Sequence, residues 1–427
     1  MGKLAREVAL VSVGMCKFGN YSKYGKPENM RTSRDLWIEA YQDLVKNVDK
    51  TNNIQEEVEA LYLGNFSSDL FEEQGHLAPL MAELIGLVPK PALRVEDACV
   101  SGGVAFRLGV LAVASGFHDT VIAGGVEKMC DLTTAGVTDT LAAAADAIYE
   151  LPFGCTFPGL YANIATAHMA KFGTTEEQMH GVAIKNHNNG ALNPRAQMPM
   201  TIKDMMAKSK KKLEAKGKPV PDWKDEMEYL MDKSVNPMIA YPMRLNDCSL
   251  VTDGAAMTIL TTKENAKKWT DTPVMVIGSG QGSDTLALHD RPIRYSLRAA
   301  VAGAEEAYKM AGVGPKDIQV AEVHDCFTIA EIVATEDLGF FERGKGAKAA
   351  EEGITELNGE KPINTSGGLK SKGHPIGASG IGQIVEVFKQ MRGQAEGKRQ
   401  LKDRPEIGLA HNVGGSGGSC TVHIFKV

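Results

Sequence analysis

No two of the seven cysteines are spaced as Cys-x-x-Cys; they stand at positions 16, 99, 130, 155, 248, 326 and 420. That spacing excludes a zinc ribbon, and an odd, scattered set reads as free thiols in a reducing compartment. No run of about 18 apolar residues occurs, so nothing reads as a transmembrane helix. Residues 1–20 lack the basic-then-apolar pattern of a secretory leader. The last residues, His423-Ile424-Phe425-Lys426-Val427, do not match the peroxisomal tripeptide. The cytoplasm is therefore the expected compartment, with no membrane partner. Charge is not concentrated either: 47 Lys and Arg against 53 Asp and Glu leave a net charge of -6. Nucleic acid is not an expected partner at that balance. A Gly-x-Ser-x-Gly elbow in a strand–turn–helix setting is also missing, which removes a serine-hydrolase site.

What is present is glycine, 45 residues of it, against 10 tyrosines and 13 phenylalanines. Such a ratio points to tight turns and close backbone contacts. At 427 residues the chain exceeds the ~250–300 at which one core stops growing, so two or three domains are expected. Strand and buried-helix signals alternate from the start. Residues 7–14 read as a buried strand, Ser33 as an N-cap, and 60–64 and 93–96 as short strands. Residues 104–115 read as a helix apolar almost all round, and 120–124 as a strand. That alternation predicts an α/β layered core. From about 128 to 244 the strand signals fade and methionine, asparagine and lysine rise. This stretch reads as a large inserted cap whose segment 203–218 is basic and helical. Alternation resumes at 250–261 and continues with strands at 274–278, 318–324, 407–412 and 420–425. Helices are expected at 296–312, 330–338 and 378–391. The two halves look duplicated: each has a strand leading to a cysteine at a helix start (Cys99, Cys326) and a glycine-containing turn into an apolar strand. The expected division is 1–127 plus 245–270, the insert 128–244, and 271–427.

Four places carry chemistry. Cys99 follows a strand and precedes a helix that opens Ser101-Gly102-Gly103. A helix N-terminus carries about half a positive charge, which favours the nucleophilic thiolate. His324-Asp325-Cys326-Phe327 puts an imidazole and a thiol at another strand end. His374 stands in the frame Gly373-His374-Pro375-Ile376-Gly377, an imidazole held on a rigid loop. Asn412-Val413-Gly414-Gly415 offers backbone N–H groups, with Gly414 a candidate oxyanion donor. Two thiols, two imidazoles and a glycine hole describe acyl transfer through a thioester. No carboxylate or cysteine set completes a metal site around them.

Taken together, these segments resemble thiolases. Val95-Glu96-Asp97-Ala98-Cys99-Val100-Ser101-Gly102-Gly103 resembles their nucleophile segment, and Gly373 to Gly380 their catalytic histidine segment. Cys248 to Ala256 is similar to the segment that closes their first core domain. The similarity runs in order along essentially the whole chain. Common thiolases carry Asn-Glu-Ala-Phe where this chain has His324 to Phe327, and a cysteine where it has Asn412. Cys326 looks like the replacement for that cysteine, a pattern that resembles the sterol-carrier-protein type without its lipid-carrier domain.

The resemblance implies two duplicated α/β halves in a layered α-β-α-β-α core with a large inserted loop domain. It further implies an acyl-CoA:acetyl-CoA C-acyltransferase, with coenzyme A as substrate and no permanently bound cofactor. Cys99 would be the nucleophile, and His374 and His324 the oxyanion donors to the thioester, with His374 also activating the thiol. Cys326 would be the acid and base, and the N–H groups of Cys99 and Gly414 the second oxyanion hole. Ser249 and the insert would contact CoA. A homodimer or homotetramer is expected, and some members work with a small OB-fold zinc-ribbon protein. Two other readings use the same residues: a ketosynthase-like decarboxylating enzyme built on Cys99, His324 and His374, and a non-catalytic acyl-CoA-binding scaffold.

Overall fold

The computed structural model describes residues 4–50 and 53–427. The first three positions of the stretch read for a leader, and residues 51–52 of the first expected domain, lie outside them. Nine strands among the described residues form one sheet. They are β1 (Val8–Met15), β2 (Ala60–Gly64), β3 (Ala92–Val95), β4 (Thr120–Glu127), β5 (Gly254–Thr262), β6 (Val274–Ser283), β7 (Val320–Glu322), β8 (Ile407–Gly414) and β9 (Ser419–Lys426). Their order is β3-β2-β4-β5-β1-β6-β9-β8-β7.

That order contains the same pattern twice. In the first half β1 pairs antiparallel with β5, β5 antiparallel with β4, β4 parallel with β2, and β2 parallel with β3. In the second half β6 pairs antiparallel with β9, β9 antiparallel with β8, and β8 parallel with β7. A single parallel bridge from Ala321 to Ile363 stands where the fifth strand belongs. The halves meet where β1 runs antiparallel to β6 over Val8–Val276, Ala9–Met275 and Leu10–Val274. The duplication expected from sequence is therefore present, but its register differs from the one read there. Cys326 follows β7, the counterpart of β2, whereas Cys99 follows β3. The element matching the Cys99 helix is the one that begins beyond Ile363, at the His374 loop.

The longer helices that matter below are α1 (Ser33–Lys46), α2 (Ser101–Ser115), α3 (Phe157–Phe172), α4 (Glu176–Ala191), α5 (Ile202–Ala215), α6 (Arg298–Ala311), α7 (Thr328–Asp337) and α8 (Ile376–Arg392). Helices α2 and α8 lie side by side, and each touches strands of both halves. Helix α1 covers the outer face of the first half and α6 that of the second. The layers thus run α, β, α, β, α. Every residue from Ile376 to Met391 is buried, and its long polar side chains have partners: Gln383 the His411 carbonyl, Glu386 Arg399, Lys389 Glu396, and Gln390 the Arg399 carbonyl. The stretch Ala98–Ser115, long and apolar enough to span a bilayer, contains the other central packing helix, α2. A Cβ on Gly102 would sit 2.6 Å from the Gly377 carbonyl oxygen, so α2 and α8 cross closely only because both carry glycine at the contact.

Local signals account for the boundaries. Helix α1 is capped by Thr32, one residue before the expected Ser33, because Thr32 and Asp35 form a reciprocal capping box. Between β4 and β5, residues 128–244 add no strand to the main sheet; they form helices and a small hairpin, Met238–Ala240 with Met243–Arg244. The basic segment 203–218 is largely α5, capped by Thr201.

Candidate active site

The carboxyl end of β3 delivers Cys99. Ala98, just before it, adopts a left-handed backbone (φ 49°), a conformation that costs a non-glycine residue free energy and is kept where the surroundings enforce it. Ser101 supplies part of that enforcement: its Oγ donates to the Ala98 carbonyl at 2.6 Å and accepts from the Asp97 N–H at 2.9 Å. The bend turns the thiol into a cavity of about 290 Å³. Val137, Leu141, Phe157, Ile239 and Leu250 give that cavity an apolar wall, and Cys326 and His374 also line it.

His374 arrives from the other half. Its backbone N–H donates to Thr252 Oγ1 at 2.9 Å, and it forms a bridge with Val251. Gly373 before it has φ 115°, open to glycine and strained for other residues. The anchor beneath this turn is Asp325, whose carboxylate accepts from the N–H groups of Leu369 (2.6 Å) and Lys370 (3.3 Å) and from Asn186 Nδ2 (2.7 Å). A second anchor is Glu127 at the end of β4. It accepts from Asn65 Nδ2 and from the backbone N–H groups of Phe66, Ser67 and Gly377, all at 2.8–3.1 Å. Burial pushes its carboxyl up to about 7, while those N–H groups pull the other way. Glu127 therefore ties the first half to the start of α8.

The hydrogen bonds fix how the two imidazoles are protonated. Ser379 Oγ donates to the Pro375 carbonyl at 2.8 Å and lies 2.6 Å from His374 Nδ1. A hydroxyl has one proton to give, so Nδ1 of His374 is the donor in that pair and Nε2 keeps a lone pair. His324 is the reverse. Asn412 Nδ2 lies 3.0 Å from His324 Nδ1, and the amide is oriented by its Oδ1, which accepts the Gly103 N–H at 3.3 Å. Nδ1 of His324 is thus an acceptor, and its proton sits on Nε2, which is buried with no partner. The rings stand edge to face, centroids 5.0 Å apart. One ring nitrogen of each and the Cys99 sulfur all lie within 4.8 Å of one another. The trio has a metal-ligand composition, but a metal needs a lone pair where His324 holds its proton, and Asn412 opposes the exchange.

Burial sets the charge states. It pushes the Cys99 thiol up to about 12, against the pull of the Gly415 N–H on its sulfur. It brings His374 down to about 3 and holds His324 well below its ordinary value, with His374 and His411 adding to the effect. Burial thus works against the thiolate that a helix N-terminus favours, and the thiol needs a base. The Cys326 thiol is likewise held well above its usual value by burial, and the Tyr161 hydroxyl bonds to it. Tyr161 also donates to the Gly415 carbonyl at 3.2 Å and stacks on Phe327 at 4.6 Å.

Cys99, His324, Cys326 and His374 are brought together as the sequence suggests. Gly414, the expected oxyanion donor, ends β8 opposite Ser419, and the N–H that bonds the Cys99 sulfur belongs to the next residue, Gly415. Ser249 lines the cavity and donates its N–H to the Cys326 carbonyl at 2.9 Å. Of the insert's methionines, Met243 is in the second core and Met205 and Met206 pack beside Ile202 and Trp223. Met129 lines the cavity instead. Tyr161, Ser379, Glu127 and the amide of Asn412 went unassigned in the sequence. Ser379 and Asn412 had a local signal, lying inside the histidine segment and the Asn412–Gly415 segment.

Known proteins resemble this chain along almost its whole length. The family model described as "Thiolase, N-terminal domain" matches residues 8–264, and the one described as "Thiolase C-terminal domain-like" matches residues 280–427. An acetyl-CoA acetyltransferase of Methanothermobacter thermautotrophicus is 44% identical over 426 residues, covering 99% of this chain and 100% of that protein. Sterol carrier protein 2 of Bos taurus is 29% identical, over 80% of this chain and 60% of its own length. Among solved structures, the Ltp2-ChsH2(DUF35) aldolase shares the fold, with a TM-score of 0.75 at 21% identity over 98% of each chain.

Proposed function

Because this chain belongs to the thiolase family and is an acyltransferase, we propose that it cleaves a 3-ketoacyl-CoA with CoA, or runs the reverse Claisen condensation, through an acyl-Cys99 thioester. The observation that carries this reading is the pair of opposite tautomers around one thiol. The bare Nε2 of His374 takes the Cys99 proton as the sulfur attacks the ketone carbon. The Cys99 N–H and the Gly414–Gly415 turn hold the resulting alkoxide. The bond between the α-carbon and that carbon then breaks, leaving the acyl group on Cys99 and the enolate of acetyl-CoA.

The enolate oxygen meets the Nε2–H of His324 and the Nε2–H that His374 has just acquired. The hole is therefore half built at rest and completed by the proton from Cys99. A donor of this kind contributes ~10²–10³ in rate. Cys326 gives its proton to the α-carbon, and its thiolate then takes the proton of the incoming CoA thiol. CoA sulfur attacks the acyl carbon, Cys99 leaves, and His374 returns the proton. A high thiol pKa suits this role, because a thiol is still far more acidic than the α-carbon and its thiolate is the stronger base for it.

Ser249 on the cavity wall supports a CoA-binding role for that segment, and the apolar lining supports entry of an acyl chain. We read residues 128–244 as a cap, since they add nothing to the main sheet. The open edge of β3, with Leu93 half exposed, supports pairing with a second copy. The test is Cys99→Ala: turnover is lost while CoA still binds. An active Cys99→Ala enzyme would sink the scheme.

A further inference from the structure

We propose that Asn412 is a positioning residue whose amide fixes the proton of His324 on Nε2, turning that imidazole into a dedicated hydrogen-bond donor. The proposal rests on the reading of His324 as an oxyanion donor and adds what makes it one. Asn412 comes from β8 and is 2% exposed. Its two bonds are not interchangeable. A backbone N–H can only donate, so the Gly103 N–H requires the amide oxygen. The amide nitrogen is then left facing His324 Nδ1, where it can only donate. Rotating the amide by half a turn would set N–H against N–H at Gly103.

The space around the amide is also shaped for it. A Cβ on Gly380 would collide with Asn412 Oδ1, and one on Gly103 would come within 3.1 Å of it. Two glycines on the two central helices thus make room for one side chain from the sheet. Gly103 lies in the first turn of α2, just beyond Cys99. The group that orients the amide therefore belongs to the helix that presents the nucleophile. The position of His324's proton is coupled to the placement of Cys99 through Gly103, Asn412 and Nδ1, a path of two hydrogen bonds.

The test uses the full chain with ¹⁵N-labelled histidine. In the wild type, the His324 resonances, assigned by their loss in His324→Gln, are expected to show a protonated Nε2 and a bare Nδ1. Asn412→Asp keeps the size and the bond to Gly103 but offers only acceptors. It is expected to move the proton to Nδ1, lowering kcat by ~10²–10³ with KM changed less than about threefold. In a His324→Gln background the same substitution is expected to have little further effect, because coupled residues are not additive.

A wild-type spectrum showing Nδ1 protonated, or the two forms averaged, overturns the proposal without any variant having to fold. An unmoved proton in Asn412→Asp, or a full additional loss in the His324→Gln background, overturns it as well. A moved proton with unchanged kcat upholds the positioning and removes His324 from the oxyanion hole, so the two failures are told apart.

Discussion

Replacing Gly377 by alanine sets two effects of known sign against each other. Alanine inside a helix is worth up to ~1 kcal/mol over glycine, and Gly377 lies in the first turn of α8. Its Cβ, however, would stand 2.6 Å from the Gly64 carbonyl oxygen, 2.7 Å from Asn65 Cα and 2.8 Å from the Val126 carbonyl oxygen. All three are backbone atoms of the first half, and none can swing aside as a side-chain end could. Overpacking of this kind costs ~1–3 kcal/mol and more where nothing yields. Packing wins, and a net loss of about 2 kcal/mol is expected. At an m-value of about 3 kcal/mol/M, that moves the urea midpoint down by roughly 0.7 M. The control is Gly181→Ala in α4, where nothing lies within 4 Å of the added carbon; there propensity acts alone and the midpoint should rise. Activity gives the second readout. The same contact seats the start of the His374 helix against the ends of β2 and β4, and a misplacement near 1 Å costs ~10²-fold in rate. A Gly377→Ala protein at least as stable as wild type, with full turnover, would refute the argument that this contact is closed to a methyl group.

Two further outcomes follow from the buried groups. Cys326→Ala is expected to acylate Cys99 from acetyl-CoA yet to stop exchanging the α-protons of acetyl-CoA with deuterium; retained exchange would place the base elsewhere. His423 is buried, and burial brings its imidazole down to about 3 from an ordinary value of 6.5. The folded protein thus binds fewer protons there than the unfolded chain does, so this stability is present above pH 6.5 and is lost as pH falls toward 3. The stability gap between wild type and His423→Gln should narrow by about 2 kcal/mol between pH 7 and pH 5. A gap independent of pH in urea titrations would show that the histidine titrates alike in both states.

The reactive groups were legible because each sits in a contiguous segment with its own glycine frame or strand end. What holds them was not. Asn412 meets Gly103 across 309 residues, Tyr161 meets Gly415 across 254, and Glu127 meets Gly377 across 250. A single sequence carries no local trace of such pairs. The burial that opposes a Cys99 thiolate is likewise a property of the assembled core, whereas the helix terminus that favours it shows in the sequence. The duplicated halves were visible as alternating strands and helices, yet their register was not. A cysteine at a strand end looks the same whether the strand is second or third in its half, and only the pairing order tells them apart.

The repeated strand pattern has a consequence for how such a catalyst arises. On the proposed mechanism the nucleophile stands at the start of a central helix in one copy, and its base at the start of the equivalent helix in the other. The copy that carries Cys326 and both imidazoles would lack that nucleophile, and the copy that carries Cys99 would lack its proton acceptor. On that mechanism chemistry begins only when two unequal copies face each other, so a site built on this repeat depends on the copies being unlike.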